Sequence, residues 1–353
     1  MRLLHTADWH LGAPSAHPIY SDTALPALLV CARENDVSHI LVAGDVFDRP
    51  HPNQQTKDYL LKQLLAAEDM QFVFSIGNHD YTTKAKDYHS LEYLKILANK
   101  LSNVAVVGPN TAYVDAELVV FALDQWEDIE NIGGTLRRLK NHDLDNLYKI
   151  AVWHGIVPGL LINRLTTKNK AIAKQIRTAL DHVNYIALGD IHKRHSLADH
   201  CKYSGALYQK TYTDEAGVVL VTDDDIPKYL DLGLPRRVTA EVEYSGDYDV
   251  DDLVESLRDH GNKDDLLKIK FRLPASTWSA LDKSLLREGL SDKYQEVRLD
   301  NDLIPEPDRR KNIEKIEHAD TLLDEIEAVI DAEDFGLDKN NLLEFCAEIV
   351  ERL

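Results

Sequence analysis

Five apolar runs in this 353-residue chain end in side chains that bind cations or carry protons. Phe72-Val73-Phe74 leads into Ser75-Ile76-Gly77-Asn78-His79-Asp80. There a neutral oxygen donor, an imidazole and a carboxylate follow a glycine that lets the backbone turn sharply. Leu3-Leu4 leads into Asp8-Trp9-His10, and Ile40-Leu41-Val42-Ala43 into Gly44-Asp45-Val46-Phe47-Asp48. Ile150-Ala151-Val152-Trp153 leads into His154-Gly155, and the run from Val183 to Leu188 into Gly189-Asp190-Ile191-His192. Two divalent cations held close together need a bridging carboxylate and a mixed imidazole and oxygen set on each side. Such a pair clamps a phosphoryl group, lowers the pKa of a bound water and stabilises the attacking and leaving oxygens. Asp8, His10, Asp45, Asn78, His154, Asp190 and His192 offer that set, with His79 beside them.

Taken singly, each residue has a bland reading. A lone histidine is more often a surface or core residue than a ligand, and Asp8 or Asp45 alone suits a turn or a helix cap. Five strand ends carrying donors in order is what a metal site requires and what chance does not supply. Asp48 divides evenly between a substrate contact and a loop cap. His5, His51 and His195 are unassigned neighbours.

The elements that must position these residues follow from periodicity. Phe72-Val73-Phe74 reads as a buried parallel strand, and ligands gather at the carboxyl ends of strands in open α/β sheets. Helices are expected over Leu25–Ala32, Gln54–Glu68, Tyr88–Leu101 and, more polar, Asp128–Lys140. Short strands are expected at Val104–Val107, Leu118–Leu123 and Val218–Val221. Strands alternating with helices indicate an α/β domain. Its end is marked by Asp223-Asp224-Asp225-Ile226-Pro227 and again by Gly233-Leu234-Pro235. Beyond it, strands at Val238–Tyr244, Leu266–Leu273 and Glu296–Leu299, with helices at Val250–Asp259 and Thr277–Glu288, make a small α+β module. Pro305-Glu306-Pro307 reads as a linker. In the tail, Ile316, Ala319, Leu323, Ile326 and Ile330 step by three and four, and Leu342, Cys346, Ile349 and Leu353 continue in that style.

Composition narrows the class. Apolar residues make up 44 %, which is globular rather than disordered. Cys31, Cys201 and Cys346 are far apart and odd in number, so no disulfide framework or zinc knuckle follows and a reducing cytoplasm is expected. No signal peptide is expected from the opening residues, and no apolar run is long enough to suggest a membrane-spanning helix. The net charge of −20 is opposite in sign to that of proteins that bind nucleic acid through phosphates. Any DNA contact must be local, metal-assisted or shared with a basic partner; adaptation to high salt is a second reading of the same charge. The stretch from Leu161 to Arg177 holds Arg164, Lys168, Lys170, Lys174 and Arg177 and no acid. It is the best DNA-facing candidate, against the reading of an ordinary solvated helix face. From Asp308 to Leu353 there are 14 acidic and 6 basic residues, too acidic and too short for a stable free coiled coil.

The strand-end motifs, in this order, resemble the calcineurin-like metallophosphoesterases. The resemblance implies Asp45 as the bridge, Asp8, His10 and His192 on one metal, and Asn78, His154 and Asp190 on the other. His79 matches the family histidine that is not a ligand and that protonates the departing alkoxide, with Asp80 placed to orient its ring. His5-Thr6-Ala7-Asp8-Trp9-His10-Leu11-Gly12, Gly44-Asp45-Val46-Phe47-Asp48 and Tyr203-Ser204-Gly205 resemble more closely the SbcD-type subunits of DNA double-strand-break repair nucleases. That likeness implies an αββα sandwich nuclease domain over 1–225, a capping domain that contacts DNA over 236–304, and partner-binding helices over 308–353. It also implies an exo- and endonuclease that uses two divalent cations, manganese in preference to magnesium. DNA and an SbcC-type ATPase are the implied partners, in a heterotetramer built on a homodimer with no membrane attachment. Leu60, Leu61, Leu64, Leu91 and Leu94 suit such a dimer bundle or an ordinary core. One position departs from the family: Asp190 stands where Gly-His-x-His is usual. An aspartate still ligates a hard cation, or it stands outside the ligand shell and leaves the second metal weakly held. The competing functions are a phosphoesterase acting on nucleotides or phosphoproteins, and a weakly active scaffold for an SbcC-type ATPase.

Overall fold

The computed structural model describes residues 1–82, 89–98, 100–108, 111–123, 146–157, 170–243 and 249–304, with single residues at 132, 134, 135, 144, 326, 330, 342, 343 and 346. The chain divides into two compact units, Met1–Arg237 and Val238–Leu353.

The first unit is built on two six-stranded sheets. In the first sheet, β1 (Arg2–Thr6), β2 (His39–Ala43), β3 (Gln71–Ser75) and β4 (Val104–Val107) run parallel. Two antiparallel strands, β11 (Val218–Thr222) and β12 (Lys228–Leu230), extend it beyond β1. In the second, β6 (Leu118–Ala122), β7 (Tyr148–His154), β8 (Tyr185–Gly189) and β10 (Cys201–Tyr203) run parallel. Antiparallel β5 (Ala112–Val114) and β9 (His195–Ala198) close its two edges. The sheets face each other through Leu3, Leu41, Val73 and Val219 on one side and Val120, Ile150, Val152 and Ala187 on the other. Because successive strand side chains point to opposite faces, the alternate residues Phe121, Ala151, Trp153, Ile186 and Leu188 lie on the outer face. There they cluster with Ile176 and Ala179 of the helix Lys170–Leu180. Near-continuous apolar runs such as His39–Ala43, buried at every position, are what a strand covered on both faces requires. The result is the mixed α/β sandwich that the strand and helix pattern indicates.

Helices follow strands as periodicity indicates. Pro18–Glu34 buries Leu25, Leu28, Leu29 and Ala32, and Gln54–Leu65 is capped by Asn53, whose side chain accepts from the Thr56 amide at 2.8 Å. Of the five leucines suited to a dimer bundle or an ordinary core, Leu60, Leu64, Leu91 and Leu94 are buried within the chain itself, and Leu61 is half-buried.

Three expectations need correction. The third helix begins at Glu92 and spans Glu92–Ala98, because the preceding Ser90 amide and hydroxyl are both taken by Asp80. The helix expected over Thr277–Glu288 is two, Ala275–Ala280 and Lys283–Leu290. Asp282 caps the second by accepting from the Ser284 and Leu285 amides at 3.0 Å, so its side chain competes with helical continuation. The last strand runs on to Ile304 rather than ending near Leu299, because Asp300 to Ile304 continue the parallel ladder along Lys270 to Pro274.

The second unit is a three-stranded sheet of β13 (Arg237–Glu243), β14 (Leu266–Pro274) and β15 (Glu296–Ile304), with β14 central. Helix Val250–Arg258 and helix Lys283–Leu290 cover one face, burying Leu253, Leu257, Leu286 and Leu290 against Leu267, Ile269 and Phe271. Most of the helix expected over 128–140 and most of the tail lie outside the described residues; Ile132, Gly134 and Thr135 are helical. Ile326, Ile330, Leu342 and Cys346 are helical and half-buried.

Candidate active site

All the strand-end donors meet at one place, where the carboxyl ends of β1, β2 and β3 adjoin those of β7 and β8. The loops are stitched together by backbone bonds: the Asp8 amide donates to the Gly44 carbonyl at 3.1 Å, and the His10 amide to the Asp45 carbonyl at 3.0 Å. Asp8, His10, Asp45 and Asp190 all have positive φ, at 53°, 41°, 53° and 89°. Ordinary side chains avoid that region, and such residues cluster where a site holds them in place.

Oδ2 of Asp45 lies 3.7 Å from His10 Nε2 and 3.4 Å from His154 Nε2, between the two halves of the cluster. On one side, His10 Nε2 and His192 Nε2 face each other at 3.0 Å, and Asp8 Oδ1 lies 4.0 Å from the first and 3.8 Å from the second. On the other, His154 Nε2 is 2.8 Å from Asn78 Oδ1 and 3.9 Å from Asp190 Oδ1. The Asp190 amide donates to both Asp8 oxygens, at 3.3 and 3.1 Å. All seven ligand candidates are therefore gathered.

The His154 ring is fixed by its other nitrogen, whose N–H donates to the Ala43 carbonyl at 2.7 Å across the two sheets. This makes Nε2 the nitrogen that faces the cluster and that serves as the ligand atom once it has shed its proton. Room for the ring depends on two glycines. A Cβ at Gly44, which has φ of +88°, would lie 2.3 Å from His154 Nδ1. One at Gly189 would lie 2.1 Å from the Ala43 carbonyl oxygen.

His79 is exposed at the rim. Its backbone amide donates to Asp45 Oδ1 at 2.8 Å, and its ring Nδ1–H donates to the Asp48 carbonyl at 2.9 Å. The expectation that Asp80 orients this ring does not hold. Asp80 is fully buried and accepts from the Gly77 amide at 3.0 Å, the Phe47 amide at 3.4 Å and the Ser90 hydroxyl at 2.5 Å. It ties the Asn78-His79 loop to the Asp45 loop, a structural task that its place beside His79 in the sequence disguises. Asp48 instead contacts the site from behind: Oδ1 is 3.4 Å from His10 Nδ1 and 3.2 Å from Lys210 Nζ.

Sequence reasoning missed Lys210 and Asp214, which lies 3.6 Å from His192 Nδ1. The nearest local signal is the Thr211-x-x-Asp214 turn, in which the Thr211 amide and hydroxyl bond the Asp214 carboxylate at 2.9 and 2.8 Å. His5 is a buried core histidine bonded to the Tyr185 hydroxyl at 2.9 Å. Of the basic stretch, Lys174 and Arg177 are exposed on their helix, while Arg164 and Lys168 lie outside the described residues.

The electrostatics show what the donor set is built for. Burial raises Asp8 to about 7 against the pull of His154 and His192. Burial acts to raise Asp45 too, yet His154, His10 and His79 hold it at about 2. Burial lowers His10 to about 3. His154 goes the other way: burial acts to lower it, but Asp45, Asp8 and Asp190 outweigh that and leave it well above its ordinary value. Burial, and then Asp45, raises Asp190. Without cations this pocket is short of positive charge, and it keeps protons on groups that ligands must shed. Three donor groups among the described residues, Asp8-His10-His192, Asp8-Asp45-His154 and His10-Asp48-His79, each bring their ligand atoms within 4.8 Å of one another. The donors are hard oxygens and imidazoles, which suit divalent cations such as manganese, magnesium or zinc.

The model of the calcineurin-like phosphoesterase family matches residues 1–194, more than half of the chain and every ligand candidate named above. The chain belongs to the calcineurin-like phosphoesterases. The family uses a dinuclear metal site, and this phosphoesterase brings together candidate ligands for one. Among solved structures, the chain is similar to TT1561 of Thermus thermophilus, at 16% identity and a TM-score of 0.42, covering 65% of this chain and 98% of that one. It is also similar to Yfce, a phosphoesterase from E. coli, at 11% identity and a TM-score of 0.30, covering 66% and 94%. Among the described residues, no helix of the phosphoesterase is long and apolar enough to cross a membrane.

Proposed function

We propose that this phosphoesterase is a two-metal DNA phosphodiesterase, the nuclease subunit of an SbcCD-like DNA end-processing complex. The observation that carries the two-metal part is the position of Asp45 Oδ2 between His10 and His154, with His79 hung from the other oxygen of the same carboxylate. Asp8, His10 and His192 would hold one cation, Asn78, His154 and Asp190 the other, with Asp45 shared. When bound, the cations supply charge neutralisation at the phosphoryl group and acidify water for attack. The chain's own residues do the rest. The Asp48 carbonyl keeps a proton on His79 Nδ1, so Nε2 is the atom that exchanges a proton. In the imidazolium form, Nε2 donates to the departing sugar oxygen, which is a poor leaving group and needs that proton.

The preference for DNA rests on the three sequence segments that resemble SbcD-type subunits, and on the exposure of Asn78 and His79, which leaves the site accessible to a polymer. The exposed Lys174 and Arg177 offer local positive charge on an acidic protein. Residues 308–353 would dock on the coiled-coil base of an SbcC-type ATPase, which would add basic DNA-binding surface to an acidic chain. The test is cleavage of linear duplex DNA with manganese, with and without the ATPase. Metal-dependent nicking or degradation is expected. Turnover of cyclic nucleotides or phosphopeptides with intact DNA in both conditions would assign the alternative substrates. Deleting residues 308–353 is expected to abolish co-purification with the ATPase.

A further inference from the structure

One short segment after β10 reaches the His192 imidazole directly and the His10 imidazole through Asp48. At its start, Lys210 Nζ lies 3.2 Å from Asp48 Oδ1, which in turn lies 3.4 Å from His10 Nδ1. At its end, the Glu215 amide donates to the His192 carbonyl at 2.7 Å, and Asp214 Oδ2 lies 3.6 Å from His192 Nδ1. Both Asp214 oxygens are already fixed by Thr211, at 2.9 and 2.8 Å, so the carboxylate cannot swing away. The far nitrogens of the two rings face each other at 3.0 Å. The other side of the cluster is backed differently: His154 rests on the Ala43 carbonyl, which carries no charge.

We infer that residues 210–215 form a clasp that orients His10 and His192 for one cation, with Asp214 as the positioning residue for His192. The inference rests on the two-cation reading of the site. A carboxylate behind an imidazole fixes which nitrogen carries the proton and makes the other a better donor. His192 depends on this more than the other rings. It is half-buried, it sits three residues beyond the strand end at Gly189, and the preceding ligand candidate is Asp190 rather than a second imidazole. The clasp therefore makes the two cation positions unequal: a carboxylate oxygen lies near the far nitrogen of His10 at 3.4 Å and of His192 at 3.6 Å, whereas the far nitrogen of His154 meets an uncharged carbonyl.

The test is a manganese titration of the metal-stripped full-length protein, followed by calorimetry and by the spin-resonance signal of free manganese. Wild-type protein is expected to show two binding events. Asp214→Asn is expected to weaken one of them by about 10- to 100-fold, the usual consequence of losing such a partner, and to leave the other unchanged. Asp214→Glu is expected to restore most of the loss, and the melting temperature of the metal-free protein to stay the same. Thr211→Val, which frees the carboxylate without removing it, is expected to weaken the same event to a smaller degree, and it decides the matter if Asp214→Asn does not fold. Two unchanged events in Asp214→Asn would overturn the clasp and leave the two-cation reading standing. Equal weakening of both events with a lower melting temperature would also overturn it, by assigning Asp214 to folding. Wild-type protein that takes up no manganese removes the two-cation reading and the clasp together.

Discussion

The backbone amide of His79 donates to Oδ1 of Asp45 at 2.8 Å, while Oδ2 of the same carboxylate faces His10 and His154. One side chain thus places both the shared ligand and the residue that carries the proton. Asp45→Ala should therefore do two things at once. Metal analysis should find neither cation retained, and the His79 amide should lose its partner, at a cost of about 1–3 kcal/mol in metal-free stability. A variant that still holds two ions would refute the bridging role.

His79→Ala should separate chemistry from binding. The ring is exposed and its one described bond is to the Asp48 carbonyl, so removing it leaves the ligand cluster intact. We expect both cations to bind as in wild type and the cleavage rate to fall by about 10²- to 10⁴-fold, the usual worth of a positioned proton donor. Assays on a diester with a good leaving group should show a smaller fall, because that reaction needs the proton less. Equal losses on both substrates would argue against proton donation.

The candidate ligands were readable in the sequence because each lies at a strand end or shortly beyond one, and strands announce themselves by apolar runs. Asp45, His154 and Asp190 need only the rule that parallel strands present their carboxyl ends together. What was not readable depends on contacts between distant segments. Asp80 follows His79 directly, which suggested a partnership, but the turn after Gly77 sends its side chain inward to Phe47 and Ser90. Lys210 and Asp214 meet the site from a turn 18 or more residues beyond His192, where no periodic pattern points at the metal cluster. The small strands Ala112–Val114, His195–Ala198 and Lys228–Leu230 escaped notice for the same reason: each is an edge strand whose pairing, not its composition, defines it.

Gly44→Ala tests how tightly the sheets close around His154. The residue has φ of +88°, and an added Cβ would lie 2.3 Å from the His154 ring and 2.9 Å from the Gly77 Cα. Backbone strain alone costs about 1–3 kcal/mol, and the ring must move off the Ala43 carbonyl as well. We expect a lower melting temperature together with weaker metal binding. Ser15→Ala, on an unrelated loop, should change neither.

The stability of the protein without metal responds to pH through buried groups that act in opposite directions, and each has its own sign. Burial raises Asp8 from 3.8 to about 7, and burial and then Asp45 raise Asp80 from 3.8 to about 6. A carboxyl whose folded value lies above its unfolded value contributes stability below the unfolded value and loses it as pH rises through the folded one. Metal-free protein should therefore lose stability between 3.8 and about 7 from Asp8. His154, raised well above 6.5, acts in the same direction at higher pH. Asp45, at about 2, opposes this in strong acid, where its contribution is lost as pH falls. Burial lowers His5 and His10 from 6.5 to about 3, and they oppose it between those values, where neutral rings stabilise the fold as pH rises. Added manganese needs those protons gone, so the gain in melting temperature on adding it should be larger at pH 8 than at pH 5. Equal gains would show that the cations bind elsewhere.

Asp190→His restores the residue usual at this position and changes the charge of the site by one unit. Two dications against ionised Asp8, Asp45 and Asp190 leave about +1; replacing one carboxylate with imidazole leaves about +2. The main structural bond at this position survives the change, because it is the backbone amide that donates to the Asp8 oxygens. The positive φ of 89° is tolerated by histidine as well as by aspartate more readily than by most side chains. An extra unit of charge near an anion is worth about 1–4 kcal/mol at 4 Å under surface-like screening. Inorganic phosphate should therefore inhibit Asp190→His at a concentration about tenfold lower than wild type, with salt reducing the difference. Weaker inhibition by phosphate in the variant would mean that Asp190 supplies a ligand that imidazole at this angle cannot replace.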